Sequence, residues 1–224
     1  MELKTFKVKV REVVKETGDS ITIKFEHLPE RLKYKSGQFI TLILKINGQE
    51  VRRSYSLSSS PYVDEHLSVC VKAVPKGLVS NELVNKIKPG DEIEVLEPMG
   101  HFSVEPLPGQ TRHCIFFAAG SGITPLISII KTVLSQEPNS KVTLVYGNRD
   151  RNSIIYKKEL EQLENKYQQR FNLIHVLSQP DQYWVGYTGR INQATAVNLI
   201  QKVAAITHKQ CYFYLCGPQG MMEE

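Results

Sequence analysis

The feature that most constrains this chain of 224 residues is a change in its hydrophobic period near residue 106. Before that point, apolar and polar residues alternate in short segments, as they do in half-buried β-strands. After it, continuous apolar runs alternate with helical patterns, as they do where parallel strands are covered on both faces. Two prolines and a glycine lie at the change, which is typical of a linker. The sequence therefore predicts two domains, residues 1–106 and 107–224.

The first half is predicted to form an antiparallel β-barrel. One helix, at residues 78–87, interrupts the alternating segments and ends before Pro89-Gly90. Asn47-Gly48 separates two segments, and this dipeptide tolerates the positive φ angles of a tight hairpin turn. Several short strands with a single helix favour a closed barrel over an open sheet. The predicted strands cover residues 5–10, 21–25, 38–45, 50–57, 66–74 and 91–97.

The second half is predicted to form an α/β domain with a doubly wound parallel sheet. Strand and helix patterns follow one another from residue 113 to residue 216 in the order β-α-β-α-β-α-β. In such sheets, ligands bind outside the carboxyl ends of the strands. The predicted strands cover residues 113–119, 141–146, 171–177 and 210–216, and the predicted helices cover residues 125–134, 154–167 and 193–205.

Composition argues against several classes of protein. The 28 lysines and arginines outnumber the 23 acidic residues, for a net charge of +5, but form no long basic block, so no nucleic-acid partner is expected. The sequence has no run of about 18 apolar residues and no secretory signal pattern, so a cytoplasmic protein without a membrane span is expected. The four cysteines form no C-x-x-C pair, which argues against zinc and disulfides and predicts at least three buried, reduced thiols.

Two motifs in the first half carry chemistry. Arg53-Ser54-Tyr55-Ser56 ends a predicted strand and combines a cation, an aromatic ring and hydroxyl groups. Gly77-Leu78-Val79-Ser80 opens the predicted helix, where free backbone N–H groups and the helix dipole favour a phosphate. Each motif also has a purely structural explanation, since the first fits an ordinary alternating strand and the second an ordinary capped helix.

Two motifs in the second half follow strands of the parallel sheet. Gly120-Ser121-Gly122-Ile123-Thr124-Pro125 joins the first strand to its helix, a position that favours a dinucleotide pyrophosphate, and Pro125 suits the first helical position. The loop lacks the third glycine of the G-x-G-x-x-G pattern. Cys216-Gly217-Pro218 follows the last strand, where the alternative is a buried cysteine before a turn.

In this order, the four motifs resemble those of the ferredoxin-NADP reductase superfamily, and the resemblance covers essentially the whole chain. In that family, the barrel binds a flavin, the parallel-sheet domain binds NAD(P)H, and the reaction occurs between the two. The resemblance implies FAD as the flavin and NADPH as the nucleotide, with NADH as the alternative. It implies no metal ligand in this chain.

The resemblance also implies roles for residues of the barrel. Arg53 would pair with the flavin pyrophosphate, Tyr55 would pack on the flavin ring, and Ser56 would bond near its N5 atom. Gly77 and Ser80 would hold the pyrophosphate. The implied flavin site is completed by Ser54, Lys72, Val74 and Val79.

Further residues are implied near the reacting atoms. Thr124 would face the flavin and the nicotinamide, and Cys216 would lie near the nicotinamide C4 atom. With Ser56 these two residues form the implied catalytic set. Phe102, in a segment that resembles the family's P-x-G-x-F turn, would either contact the flavin or only close the barrel.

Nucleotide choice is predicted from the end of the second parallel strand. A ribose 2′-hydroxyl usually meets an acidic residue there, whereas a 2′-phosphate is bound by arginine. Arg149 and Arg151 therefore favour NADPH, although Asp150 could bind a ribose hydroxyl and Arg151 could be only a solvated charge. The resemblance adds Ser178 and Arg190 as weaker candidates. The implied nucleotide site consists of Gly120, Gly122, Thr124, Pro125, Asn148, Arg149, Cys216, Gly217 and Pro218.

Within the superfamily, residues 53–59 and 146–149 most resemble the reductase components of bacterial oxygenases, including that of phenylacetyl-CoA oxygenase. Those reductases continue into a ferredoxin domain whose four cysteines hold a two-iron cluster. This chain lacks that cysteine pattern and ends at Glu224, in what should be the first turn of its last helix. We therefore expect the cluster in a missing C-terminal domain.

The expected function is hydride transfer from NADPH to FAD, followed by single-electron transfer to an iron-sulfur protein or domain. An oxygenase is the expected further partner. Two alternatives remain open. The chain could be a free-standing ferredoxin or flavodoxin reductase, or a non-catalytic flavin subunit that works only inside a complex.

Overall fold

A computed structural model describes residues 4–26, 33–204 and 210–224. The chain divides into two compact units, the first formed by Met1–Glu105 with Ile127–Thr132 and the second by Pro106–Leu126 with Val133–Glu224. The domain boundary after residue 106 stays a prediction, because the first unit also takes in this segment of a later helix. Among the described residues, no helix is both long and apolar enough to cross a membrane.

The first unit is an antiparallel barrel, as predicted. Its described elements are β1 (Thr5–Thr17), β2 (Ser20–Phe25), β3 (Phe39–Ile46), β4 (Gln49–Ser56), β5 (Ser68–Lys72), α1 (Leu78–Lys86) and β6 (Glu92–Leu96). The strands pair in the order β4-β3-β6-β1-β2-β5. Leu57, just after β4, bridges to Val69 in β5 and so brings the two edge strands together. The alternating apolar residues of the sequence fill the barrel, where Ile23, Ile40 and Leu42 are fully buried.

The turn between β3 and β4 has the predicted hairpin geometry. Asn47 and Gly48 have φ angles of 52° and 77°, and Ile46 pairs with Gln49 across the turn. This turn sets the register of β4, because side chains alternate between the two faces of a strand. Tyr55 therefore lies opposite Ile40.

The second unit is a doubly wound parallel sheet with helices, also as predicted. Its described elements are β7 (Arg112–Ala119), α2 (Ile123–Gln136), β8 (Lys141–Asn148), α3 (Lys157–Lys166), β9 (Phe171–Leu177), β10 (Tyr187–Thr188), α4 (Gln193–Ala204), β11 (Gln210–Cys216) and α5 (Gln219–Met222). The strand order is β10-β9-β8-β7-β11. The chain leaves β7 towards β8 on one side and later returns to pair β11 on the other. The carboxyl end of β7 is thus the switch point at which such sheets bind ligands.

Several boundaries differ from the predicted ones. β1 continues to Thr17 because it pairs first with β6 and then, past an irregularity at Val10 and Glu12, with β2. α3 begins at Lys157, since Tyr156 has a φ of 60° and cannot continue a helix. β10 was not predicted, and the last residue of the predicted helix 193–205 lies outside the described residues.

The prediction of at least three buried thiols was wrong. Cys70 and Cys114 are buried, whereas Cys211 and Cys216 are partly exposed, and none of the four forms a disulfide among the described residues. β11 is an edge strand of the sheet, so its side chains are covered less completely than those of β7.

Candidate functional site

The turn before α1 is closely packed at Gly77, and the helix start that follows it lacks a side-chain cap. No side chain caps the N terminus of α1, and its first turn contains no acidic residue. A Cβ atom on Gly77 would lie 2.4 Å from Val74 Cγ2 and 2.5 Å from Ser80 Oγ, so a larger residue does not fit. Backbone N–H groups at such a helix start, together with the helix dipole, favour a phosphate group.

Two polar side chains hold this turn. The Ser80 hydroxyl accepts a hydrogen bond from the Val74 N–H at 3.2 Å, so its oxygen is used in shaping the turn. Asn81, which sequence reasoning missed, donates from Nδ2 to the carbonyl oxygens of Val74 at 2.9 Å and Gly77 at 2.6 Å. The sequence signal that could have identified it is an asparagine four residues after the glycine that precedes the helix.

Two other predicted residues of this region have structural roles. The Val79 side chain is 2% exposed and packs in the barrel core, so only its backbone is available to a ligand. Lys72 ends β5, and its Nζ atom lies 3.7 Å from Asp19 Oδ2. Val74, by contrast, is exposed.

The Arg53–Ser56 string occupies the last half of β4. Arg53 is exposed, donates to the Arg52 carbonyl at 2.7 Å, and forms no ion pair with a carboxylate among the described residues. The Ser54 and Thr41 hydroxyls lie 2.9 Å apart. Tyr55 packs against the barrel core, and its burial raises the pKa of its hydroxyl, while Ser56 is half-buried. The string therefore offers an uncompensated cation beside a fixed aromatic ring.

Phe102 does not serve as a buried plug of the barrel. Its side chain is 42% exposed and is absent from the barrel core. Its carbonyl oxygen lies against Gly37, where a Cβ atom would come within 2.2 Å and where φ is 94°. Only glycine fits that position, and sequence reasoning missed it.

In the second unit, the Gly120 loop and the Cys216 turn are packed against each other. A Cβ atom on Gly122 would lie 2.1 Å from the Cys216 carbonyl oxygen and 2.8 Å from Gly217 Cα. Both turns lie at the switch point, because Cys216 pairs with Ala118 at the end of β7. The structure thus brings together two motifs that are far apart in sequence.

The start of α2 resembles the start of α1. Residues Gly120–Gly122 form a short 3-10 turn, α2 follows at Ile123, and no side chain caps it. Thr124 is 7% exposed, and its hydroxyl donates to the Ser121 carbonyl at 2.9 Å. Pro125 is the third helical residue, not the first as predicted. It is tolerated there because N–H groups of the first turn lack helical partners.

Cys216 presents a neutral thiol beside this loop. Burial raises the pKa of the thiol above its ordinary value, so the thiolate is not populated near pH 7. Gly217 follows it, and a Cβ atom there would lie 2.5 Å from Met221 Cε. Pro218 then caps α5 with a φ of −59°.

The end of β8 carries the residues predicted to choose the nucleotide. Asn148 is 9% exposed, and its Nδ2 atom has no hydrogen-bond partner among the described residues. Arg149 is exposed. Asp150 is engaged in a local turn, where its Oδ1 atom accepts hydrogen bonds from the N–H groups of Asn152 and Ser153, both at 2.9 Å. It caps the short turn Arg151–Ser153.

Arg151 contacts a neighbouring loop, and its side chain remains 43% exposed. Its Nε atom lies 3.3 Å from Asp181 Oδ2, its guanidinium carbon lies 5.0 Å from the centre of the Trp184 ring, and it donates to the Tyr183 carbonyl at 3.2 Å. Ser178 borders this region through its N–H, which donates to the Asn148 carbonyl at 3.0 Å. Arg190, the other weak candidate, is exposed.

Fold and site together define a class. The first unit is a closed antiparallel barrel with an uncapped helix start, and the second is a doubly wound sheet with an uncapped helix start at its switch point. This is the architecture of two-domain flavoprotein oxidoreductases. Comparison with known families agrees in both halves. Residues 5–104 match the oxidoreductase FAD-binding domain, and residues 116–224 match the oxidoreductase NAD-binding domain. The chain belongs to the ferredoxin-NADP reductase superfamily, in which these two domains occur together.

Relatives with assigned activities include oxygenase reductases. The chain is 36% identical to a subunit of the 1,2-phenylacetyl-CoA epoxidase of Escherichia coli K12 over 96% of its own length and 61% of that protein. It is 40% identical to the ferredoxin reductase component of 3-ketosteroid-9-alpha-monooxygenase of Mycolicibacterium smegmatis over 96% of its length and 58% of that protein. The chain thus spans about three fifths of these relatives.

Solved structures share the whole fold. The CS-b5R domains of human Ncb5or, in an NAD⁺ form, superpose with a TM-score of 0.84 at 26% identity, covering 100% of this chain and 65% of that one. The ferredoxin reductase in carbazole 1,9a-dioxygenase superposes with a TM-score of 0.80 at 23% identity, covering 100% of this chain and 64% of that one. The latter likeness concerns the fold alone.

Proposed function

We propose that this chain takes hydride from NADPH onto FAD and passes electrons singly to an iron-sulfur acceptor, as the reductase portion of an oxygenase system. One observation carries the proposal. Each unit contains a helix start, that of α1 and that of α2, with no side-chain cap and no acidic residue in its first turn. Two separate anion-accepting turns suit two dinucleotides, one in each unit.

The residues of the first unit fit FAD. The turn at Gly77 closes tightly on Val74 and Ser80, and the N–H groups of Val79 and Ser80 follow it in the helix. With Arg53, these groups would bind the pyrophosphate, and Tyr55 would support the ring. A bound flavin accepts hydride and can release electrons one at a time. The chain's own part is to bind and orient, with Ser56 as the hydroxyl that would fix the reacting edge.

The residues of the second unit fit a pyridine nucleotide. Gly122 lets the loop pack directly against the Cys216 turn, and Asn148 Nδ2, which has no partner among the described residues, is a buried donor at the same edge of the sheet. Thr124 would shape the loop through its bond to Ser121. Cys216, as a neutral thiol, would leave the nicotinamide without an adjacent anion or a competing nucleophile.

Arg149 supports NADPH over NADH. Asp150 is occupied in capping a turn and Arg151 in an ion pair, so neither is placed to bind the ribose. Arg149 is exposed at this strand end, and guanidinium groups bind phosphates through paired, charge-assisted hydrogen bonds.

The named activities of relatives support an oxygenase system. One relative is a subunit of an epoxidase of phenylacetyl-CoA, and another is the ferredoxin reductase component of a steroid monooxygenase. We therefore propose that this chain is the reductase portion of an oxygenase such as phenylacetyl-CoA oxygenase.

An acceptor assay tests this function. The chain loaded with FAD should reduce ferricyanide with NADPH, and adding a two-iron ferredoxin should increase the reduction of cytochrome c. No ferricyanide reduction would favour a non-catalytic flavin subunit. Ferricyanide reduction without any effect of ferredoxin would contradict the iron-sulfur acceptor.

A further inference from the structure

The hydroxyl group of a buried tyrosine contacts the loop that begins at Gly120, between β7 and α2. Tyr146, near the end of β8, is fully buried, and its hydroxyl donates to the Gly120 carbonyl oxygen at 2.9 Å. A buried hydroxyl without a partner would be costly, so this bond fixes the position of its acceptor. Tyr146 begins the 146–149 string that resembles oxygenase reductases, but the sequence indicates no role for its hydroxyl group.

The carbonyl that it binds begins the loop. Gly120 has a φ of 53°, which is the left-handed region, and its oxygen also accepts the N–H of Ile123. Two donors therefore hold one carbonyl. Because the peptide unit is planar and trans, holding the Gly120 C=O also fixes the Ser121 N–H in the opposite direction. That N–H points away from Tyr146, and Ser121 is exposed.

From this geometry we infer that Tyr146 is a positioning residue for the nucleotide pyrophosphate: its hydroxyl orients the Gly120–Ser121 peptide so that the Ser121 N–H faces the phosphates. The inference rests on the proposed function, since it needs a dinucleotide at this loop. Tyr146 touches no substrate and acts only through the loop. It also lies two residues before Asn148, so one side chain links the loop to the strand end that would bind the ribose.

Two ligands separate this role from a general effect on the fold. NADP⁺ contains the pyrophosphate, whereas adenosine 2′-monophosphate lacks it but keeps the ribose 2′-phosphate. In Tyr146→Phe, which removes one oxygen atom, the Kd for NADP⁺ should rise about fivefold, as for the loss of one neutral hydrogen bond. The Kd for adenosine 2′-monophosphate should not change. The KM for NADPH should rise equally, while kcat at saturation stays within about twofold.

Two further variants keep the test sharp. Ser121→Pro removes the N–H itself and should reproduce the selective loss of NADP⁺ even if Tyr146→Phe folds poorly. Tyr167→Phe, at the end of α3, is the matched control and should bind both ligands as the wild type does.

Each outcome decides one claim. Unchanged NADP⁺ binding in Tyr146→Phe, or an equal loss of both ligands, would overturn the positioning role. If the wild type itself bound neither ligand, the proposed function would fail instead.

Discussion

Three consecutive charged residues at the end of β8 have different surroundings in the structure. By sequence, Arg149 and Arg151 favoured NADPH, Asp150 was an alternative partner for a ribose hydroxyl, and Arg151 could also have been only a solvated charge. The structure assigns Asp150 to a turn and Arg151 to Asp181 and Trp184, which lie about thirty residues further along the chain. Such partners depend on how loops meet, so they could not be predicted from spacing.

The first prediction at this scale concerns Arg149. In Arg149→Ala, the Kd for NADPH should rise about 10- to 100-fold, since hydrogen bonds to a charged phosphate are lost, while the Kd for NADH should change little. Binding titrations with both nucleotides provide the measurement.

Arg151→Ala is the matched control for this prediction. It should weaken both nucleotides to a similar extent, because it would release the loop at Asp181 rather than a phosphate contact. An equal loss of NADPH and NADH in Arg149→Ala would remove Arg149 from the 2′-phosphate site.

A second prediction concerns His175 in β9. Burial, and then the charge of Lys157, lower its pKa from 6.5 to about 4, and its Nδ1 atom has no partner among the described residues. Between these two pH values the unfolded chain binds a proton that the folded chain does not, so stability falls as the pH drops from 6.5 and levels off near 4. The free energy of unfolding should decrease by at most about 3 kcal/mol.

Urea unfolding at pH 7 and pH 5 measures this effect. His175→Gln should reduce the pH dependence, whereas His101→Gln, at an exposed position, should leave it unchanged. Identical pH dependence in the wild type and His175→Gln would show that His175 does not titrate with folding.

At the scale of elements, the hydrophobic period predicted nearly every strand and helix, because burial on one or both faces dictates it. The errors lie where backbone geometry decides instead. β1 bends from one partner strand to another, and the left-handed Tyr156 delays α3. The motif glycines were also predictable, but the reason for Gly122 was not. The turns after β7 and after β11 lie so close together that only a residue without a Cβ atom fits at position 122.

Gly122→Ala tests this approach of the two turns. The new methyl group would overlap the Cys216 carbonyl oxygen, which is backbone and cannot rotate away, so one turn must shift. We expect nucleotide affinity to fall at least about tenfold, with FAD loading unchanged, because the barrel is not involved. Isothermal titration with NADP⁺ and flavin absorbance would measure the two effects.

Gly109→Ala is the control for this substitution, because a Cβ atom there meets nothing within 4 Å. It should leave both nucleotide and flavin binding unaltered. Wild-type nucleotide affinity in Gly122→Ala would mean that the loop binds no pyrophosphate.

At the scale of the whole molecule, the chain combines two units, each with its own anion-accepting helix start. The change of period near residue 106 was enough to predict both folds, since parallel and antiparallel sheets are buried differently. Residues 127–132 of α2 group with the first unit. The hydrophobic period could not predict this grouping, because it indicates that a helix forms but not which unit the helix packs in. The roles of Asn81 and Tyr146 were not predicted either, because each side chain acts on backbone carbonyls, and such contacts leave no pattern in the sequence.

The most direct test of the proposed function is an anaerobic titration of the FAD-loaded chain with NADPH. If the two units bind FAD and NADPH for hydride transfer, the flavin absorbance at about 450 nm should decrease, and roughly one NADPH per chain should complete the decrease. Absorbance that stays unchanged with NADPH, while dithionite bleaches the same sample, would contradict the proposed reaction.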